Sequence, residues 1–401
     1  MLFKPTSQPN TFSKPTRAFG SPVSPIKPDP QFNSIPAEHV QPTDLTYDVT
    51  QLLSPEKLAS INAAGKIIFH SLGDSGGIDG TDIQEAIAKQ MEEQITASAE
   101  ADQPAFFYHL GDVVYFNGLL NDYPEQFYEP YKSYPAPIYA IPGNHDGQTK
   151  INRGDQPDNE PSLTGFFENF CTTDPRTFAK GASYRYVLDQ PWPYWTLKAP
   201  LVTVIGLYSN IDGSLDDRNS NEAEQTQYNW FVDQLSAADP DKCLILAVHH
   251  PPFSLDTAHG GYQDILDTID QASSKAGRTP TAIFSGHVHC YQRFTRTSAD
   301  GRKYPYLIAG AGGYARTYKS MHKLQEDPTT ADGSIPKAFQ TTLPDVVLEN
   351  YNTEVPGFLR ITVDANTLKG EYFVNTFEPK GQVPMQAFDT FNLNWRTYQY
   401  I

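Results

Sequence analysis

Gly143-Asn144-His145-Asp146 closes the run Tyr134-Pro-Ala-Pro-Ile-Tyr-Ala-Ile-Pro142. That run is apolar and broken by prolines, so it reads as a short buried strand ending in a turn. An amide, an imidazole and a carboxylate then stand together at a strand's carboxyl end, where open α/β sheets place their ligands. Alone, the tetrapeptide also fits a polar turn. Four more stretches repeat its design: Gly73-Asp74-Ser75-Gly76, Gly111-Asp112-Val113-Val114-Tyr115, Val248-His249 and Gly286-His287-Val288-His289.

Each stretch follows an apolar run. Lys66 to Leu72, Pro104 to Leu110, Leu201 to Tyr208, Cys243 to Val248 and Thr281 to Ser285 read as buried strands. Helices are expected between them. Asp82 to Glu100 carries Ile83, Ala86, Ile87 and Met91 on one face. Leu163 to Phe170 reads as a short helix and Tyr262 to Ala276 as a longer one. Asn221 to Ala238 turns Trp230, Phe231 and Leu235 inward, with Asn221 as N-cap. Strand and helix in alternation give βαβ construction. The chain then changes to hairpin-like strands over Tyr304 to Ala309, Gly357 to Val363 and Leu368 to Thr376. No repeat of fixed period is present.

The 401 residues can bury a large core, and 39% hydrophobic with 12% aromatic residues is a globular composition. A net charge of −17 argues against nucleic acid or an anionic membrane as partner. Cys171, Cys243 and Cys290 are too few and scattered for a disulfide framework or a CxxC metal site, and the last two read as small core residues. No signal-peptide h-region opens the chain and no apolar run reaches the roughly 18 residues of a membrane span. A cytoplasmic location is therefore expected. Residues 1–45 are proline-rich, with nine prolines before Thr43, and read as an extended arm. Residues 46–401 read as one domain. Within it, residues 316–350 are a polar, unpatterned insertion of the kind that often forms a lid.

The strand ends supply Asp74, Asp112, Tyr115, Asn144, His249, His287 and His289. Imidazole suits zinc, iron and other transition metals, and carboxylate suits harder cations. His287 and His289 lie on one strand face at period two, a good chelate spacing. Seven donors are too many for one tetrahedral site. They suit two adjacent metals that share a bridging carboxylate.

The five stretches resemble the motif blocks of the calcineurin-like metallophosphoesterases, in the purple acid phosphatase variant. The resemblance covers about residues 66 to 377. Most of that superfamily begins with Asp-x-His, but Gly76 stands at the histidine's place here, and Tyr115 offers the missing ligand. The resemblance implies an αββα sandwich of two mixed sheets flanked by helices. It implies a first metal, Fe(III), on Asp74, Tyr115 and His289, and a second, divalent zinc, iron or manganese, on Asn144, His249 and His287. Asp112 would bridge them. His145 would contact phosphate and His259, ten residues after His249, would protonate the leaving group. His249, not His250, is the expected ligand, because the family places it two residues before the proline. The implied reaction is hydrolysis of small phosphate monoesters by metal-bound hydroxide, with a phosphodiesterase as the close alternative and a non-catalytic metal-binding domain as the remote one. A trivalent and a divalent ion, set against two carboxylates, a phenolate and a hydroxide, leave about +1, so an acidic chain can still attract phosphate.

Two positions depart from the family. Asp146 stands where glutamate is frequent, and Cys290-Tyr291-Gln292-Arg293 replaces x-Tyr-Glu-Arg. Gly310-Ala-Gly-Gly-Tyr-Ala315 also fits a dinucleotide fingerprint, but no clean amphipathic helix follows it. Nucleotide-cofactor binding is not expected there.

Overall fold

The computed structural model describes residues 35–36, 39–77, 80–149, 160–172, 185–210, 226–315, 321–327, 330–375 and 386–401. Most of the proline-rich arm and the expected N-cap Asn221 lie outside the described residues. In chain order the described elements are β1 (Thr46–Asp48), α1 (Pro55–Ala64), β2 (Lys66–Leu72), α2 (Asp82–Thr96), β3 (Phe106–His109), β4 (Ile138–Ala140), α3 (Asn144–Gly147), α4 (Thr164–Phe170), β5 (Trp195–Lys198) and β6 (Val202–Leu207). They continue with α5 (Thr226–Ala237), β7 (Cys243–Val248), α6 (Gln263–Ala276), β8 (Ala282–Ser285), β9 (Tyr291–Thr297), β10 (Lys303–Ala309), β11 (Phe339–Gln340) and β12 (Val346–Asn352). The last four strands are β13 (Gly357–Asp364), β14 (Thr367–Val374), β15 (Asp389–Asn394) and β16 (Gln399–Tyr400).

The strands form two mixed sheets. One has the order β1-β5-β6-β7-β8-β10-β9-β12-β11 and the other β16-β15-β14-β13-β2-β3-β4. Within them β2, β3 and β4 run parallel, as do β6, β7 and β8. Parallel strands covered on both faces should be apolar throughout. Accordingly all six residues of β7 are buried, as are the last six of β2. Alternate residues serve different layers. Val204, Ile245 and Phe284 join Phe69, Phe106 and Tyr139 in the core between the sheets. Their neighbours Ile205, Leu244, Leu246 and Ile283 pack outward on Phe231 and Leu235 of α5 and on Ile265 and Ile269 of α6. On the far side, Ile83, Ile87, Met91 and Ile95 of α2 cover the other sheet with Phe107 and Ile138. The result is the expected αββα sandwich. Cys243 and Cys290 are buried with free thiols.

Helix ends follow local chemistry. Ser54 caps α1 by accepting the Lys57 N–H at 3.2 Å, with Pro55 at the first helical position. Gly277 ends α6 in the left-handed conformation at φ 66°.

The segment 316–350 is more regular than its composition indicates, since β11 and most of β12 fall within it. In β12 burial alternates, and the inward positions are Val346, Leu348, Asn350 and Asn352. Two asparagines on the inward face hide the apolar period from the sequence. Among the described residues no helix is long and apolar enough to cross a membrane.

Candidate metal centre

The carboxyl ends of β2, β3 and β4 from one sheet meet those of β7 and β8 from the other. Backbone bonds fix the strand ends: Gly73 N–H donates to Ala309 O at 2.9 Å across the two sheets, and within each sheet Asp74 N–H donates to Gly111 O at 2.9 Å and Gly286 N–H to His249 O at 3.0 Å. Asp74 (φ 59°), Asp112 (φ 52°) and His287 (φ 65°) leave their strands through left-handed backbone. Such conformations cost about 1–3 kcal/mol each in a non-glycine residue and persist where the surroundings over-determine them. That strain turns each side chain back into the seam. Gly143 permits the approach, because a Cβ there would run into the Asp112 carboxylate.

The structure brings all seven strand-end donors together. Tyr115 Oη donates toward Asp74 Oδ1 (3.0 Å) and Asp112 Oδ2 (2.9 Å), and stands 3.2 Å from His289 Nε2. His289 Nε2 is 3.4 Å from Asp74 Oδ1. In a second group, Asn144 Oδ1 lies 3.2 Å from His249 Nε2 and 2.9 Å from His287 Nδ1. Asp112 Oδ2 is 3.3 Å from His249 Nε2 and so faces both groups. The ligand atoms of Asp112, His249 and His287 all lie within 4.8 Å of one another. All seven residues are at most 9% exposed.

Atoms behind the donors set their orientation. His249 Nδ1 faces the Leu110 carbonyl at 2.8 Å, so it carries the proton and leaves Nε2 toward the seam. His287 Nε2 is held by the Tyr262 hydroxyl at 2.8 Å, which leaves Nδ1 inward. The His287 N–H also donates to Asp74 Oδ2 at 2.8 Å.

Electrostatics fit a cation. Two carboxylates, three imidazoles, an amide oxygen and a phenol converge in this buried space, an arrangement that a bound cation would stabilise. Burial opposes a charge on His249, but Asp112 and Asp74 outweigh it and raise its pKa to about 9. Burial, then the surrounding imidazoles, push His287 and His289 well below the usual histidine range, so both offer lone pairs at neutral pH. Burial raises Asp74. Burial also works against the Asp112 anion, yet His249 and His145 hold it below the usual carboxylate range. Tyr115 is pushed up by burial and then by Asp112 and Asp74, so only a strong cation would ionise it.

The two proposed catalytic imidazoles border this cluster. The His145 N–H donates to Asp112 Oδ1 at 2.8 Å, and its ring Nδ1 faces the Phe116 carbonyl at 2.7 Å. The His259 ring lies 4.3 Å from that of His287, centroid to centroid. Burial, then His322, lower the His259 pKa to about 4. His250 turns the other way, its Nδ1 2.8 Å from Ser209 Oγ.

Several contributors had no local signal. Asp146, a departure in the motif, is fully buried and joins two of the loops: it accepts from Gly143 N–H at 2.7 Å, Val113 N–H at 3.0 Å and Val114 N–H at 3.4 Å. Gln292, the other departure, accepts the Leu255 N–H at 2.9 Å and donates to Ser254 Oγ at 2.9 Å, so a neutral amide is fully used there. The glycine-rich stretch after β10 packs on the Asp74 loop. Gly312 N–H donates to Gly73 O at 3.0 Å and Tyr314 N–H to Asp74 O at 3.0 Å. A Cβ at Gly310 would stand 2.8 Å from Asp74 Oδ2. Its glycines serve close backbone approach, and Tyr314 stacks on Tyr115 at 3.9 Å. His322, 4.4 Å from the His289 ring, comes from the 316–350 segment, where it is the single histidine.

Residues 71–291 match the family model of the calcineurin-like phosphoesterases. A probable glycerophosphodiester phosphodiesterase GpdQ of Arcobacter nitrofigilis is 25% identical over 189 residues, 47% of this chain and 57% of the relative. Among solved structures, purple acid phosphatase PPD1 from yellow lupin (Lupinus luteus) seeds superposes with a TM-score of 0.53 at 16% identity, over 82% of this chain and 54% of that one. GAP50, the anchor in the inner membrane complex of Plasmodium, superposes with a TM-score of 0.55 at 14% identity, over 82% and 89%. The chain thus spans little more than half the length of the curated relative and of the lupin enzyme.

Proposed function

The chain belongs to the calcineurin-like phosphoesterase family, and on that premise we propose that it is a dinuclear-metal phosphoesterase that hydrolyses phosphate monoesters. The observation that carries the reading is Asp112 Oδ2, which lies within 3.3 Å of both the Tyr115 hydroxyl and His249 Nε2. One carboxylate between two buried donor groups suits two cations. Asp74, Tyr115 and His289 would hold one, taken as Fe(III). Asn144, His249 and His287 would hold the other, taken as divalent zinc, iron or manganese. When bound, such ions withdraw charge from a phosphate and lower the pKa of water.

The chain's own residues supply the rest. His145 Nδ1 is engaged by Phe116 O, so Nε2 remains to grip a phosphate oxygen. His259 stands beside His287, where it can deliver a proton to a leaving group. A second reading is a phosphodiesterase, favoured by the likeness to the Arcobacter protein. Metal-loaded protein assayed on 4-nitrophenyl phosphate and bis(4-nitrophenyl) phosphate separates them. The expected result is faster turnover of the monoester; a faster diester would transfer the reading to the second class, and no turnover of either would end both.

Tyr115 decides the metal preference. A phenolate is a hard anionic oxygen ligand and favours a trivalent ion. On Fe(III) it gives a charge-transfer band, so the oxidised iron-loaded protein should be pink to purple. Tyr115→Phe should remove the colour and weaken iron retention, with circular dichroism unchanged. A colourless, oxidised, iron-loaded wild type would show that Tyr115 is no ligand.

A further inference from the structure

Next to the strand-end donors lies a second polar cluster: Asp256, His259 and His322. We propose that Asp256 and His322 are positioning residues that fix the His259 imidazole against His287, and thereby set how well a proton reaches the leaving group. The inference rests on the general-acid role given to His259 above.

Asp256 holds the backbone. Its buried carboxylate accepts the N–H groups of Ala258 (2.9 Å), His259 (2.9 Å) and Gly260 (2.7 Å), and the Ser254 hydroxyl (2.9 Å). Three consecutive N–H groups on one carboxylate wind the loop tightly around His259. Four hydrogen bonds use the carboxylate's lone pairs, so Asp256 serves the loop and not a cation. This fixes the main chain of His259 but leaves its ring free to turn.

His322 holds the ring. The His259 imidazole sits between His287, with centroids 4.3 Å apart, and His322, at 4.8 Å. His322 is itself anchored on the backbone of His289. Its N–H donates to His289 O at 3.1 Å, and its Nδ1 accepts the His289 N–H at 3.2 Å while standing 3.4 Å from Asp256 Oδ2. Backbone bonds from Thr257 N–H to Lys323 O and from Gln325 N–H to Leu255 O, both 2.8 Å, tie the His322 segment to the His259 loop. Residues 323–325 of the 316–350 insertion are therefore docked on the loop that carries the acid. An acid misplaced by about 1 Å can lose a hundred-fold in rate, so a wedge that restricts the ring has a kinetic consequence.

The test is a double-mutant cycle on metal-loaded protein with two substrates: 4-nitrophenyl phosphate, which needs no acid, and glycerol 2-phosphate, which does. His322→Ala should lose roughly ten-fold more kcat on the alkyl ester than on the aryl ester. His259→Ala should show the same bias more strongly, and the double variant should be no worse than His259→Ala. Metal content should stay at the wild-type value throughout. A crystal structure of His322→Ala should show the His259 ring in a second rotamer. Equal loss on both esters, multiplying losses in the double variant, or an unmoved ring would each overturn the inference. If His259→Ala itself shows no leaving-group bias, its acid role fails and this inference falls with it. A bias in His259→Ala without one in His322→Ala overturns the positioning role alone. Should His322→Ala not fold, His322→Asn keeps an acceptor at the Nδ1 position and is read the same way.

Discussion

Asp112→Ala should leave the protein without either metal and cut phosphate-ester turnover by about a hundred- to a thousand-fold, the scale of losing one transition-state contact. The reason is position. Asp112 Oδ2 lies 2.9 Å from the Tyr115 hydroxyl and 3.3 Å from His249 Nε2, so the carboxylate belongs to both donor groups. Its Oδ1 accepts the N–H of His145, the residue assigned to phosphate. Removing it would take a negative charge from each of the two proposed ions and the anchor from His145. The fold should survive, because Asp112 sits at a strand exit and not among the apolar contacts between the sheets. Elemental analysis and circular dichroism check this together. An Asp112→Ala protein that keeps one metal at wild-type affinity would show that Asp112 serves a single ion. Asn144→Ala is the contrast: it should cost the second metal and spare the first.

Asp146→Ala should lower stability by about 3–5 kcal/mol, because three buried backbone N–H groups lose their acceptor. Asp146 is fully buried and accepts N–H groups from Gly143, Val113 and Val114. Each N–H left without a partner costs about 1–3 kcal/mol. A water entering the space would recover part of that, which keeps the expected loss below the simple total. The variant should also bind metal poorly, since Asp146 joins the loop of Asn144 to the loop of Asp112. Asp146→Asn should lose less, because it retains one acceptor oxygen. Chemical denaturation of the metal-free proteins measures the difference. A metal-free Asp146→Ala with the wild-type midpoint would mean that these loops are held by other contacts.

The legible part of this molecule was what the backbone period and short motifs encode. β2 and β7 run over the residues their apolar stretches indicate, and the strand-end donors follow from polar residues placed after such runs. The unread part lies where a contact joins distant residues. Asp146 reads only as a shorter acid, since its partners Val113 and Val114 are some thirty residues upstream. His322 and Asp256 meet across 66 residues, with no pattern to link them. β12 escaped because Asn350 and Asn352 occupy inward positions where apolar residues would have shown the alternation. Gly310 and Gly312 copy a nucleotide-binding spacing for an unrelated reason, the approach of their backbone to the Asp74 loop. His70 lies mid-strand within β2, one of the strands that lead to the site, yet bonds Tyr134 and Gln94 in the interior.

Metal stoichiometry on purified protein, taken alongside turnover of a phosphate monoester, decides whether the strand-end donors work as one dinuclear centre. Two metal ions per chain in the active protein, with both lost in Asp112→Ala, is the expected result. Active wild-type protein holding one ion or none would contradict it.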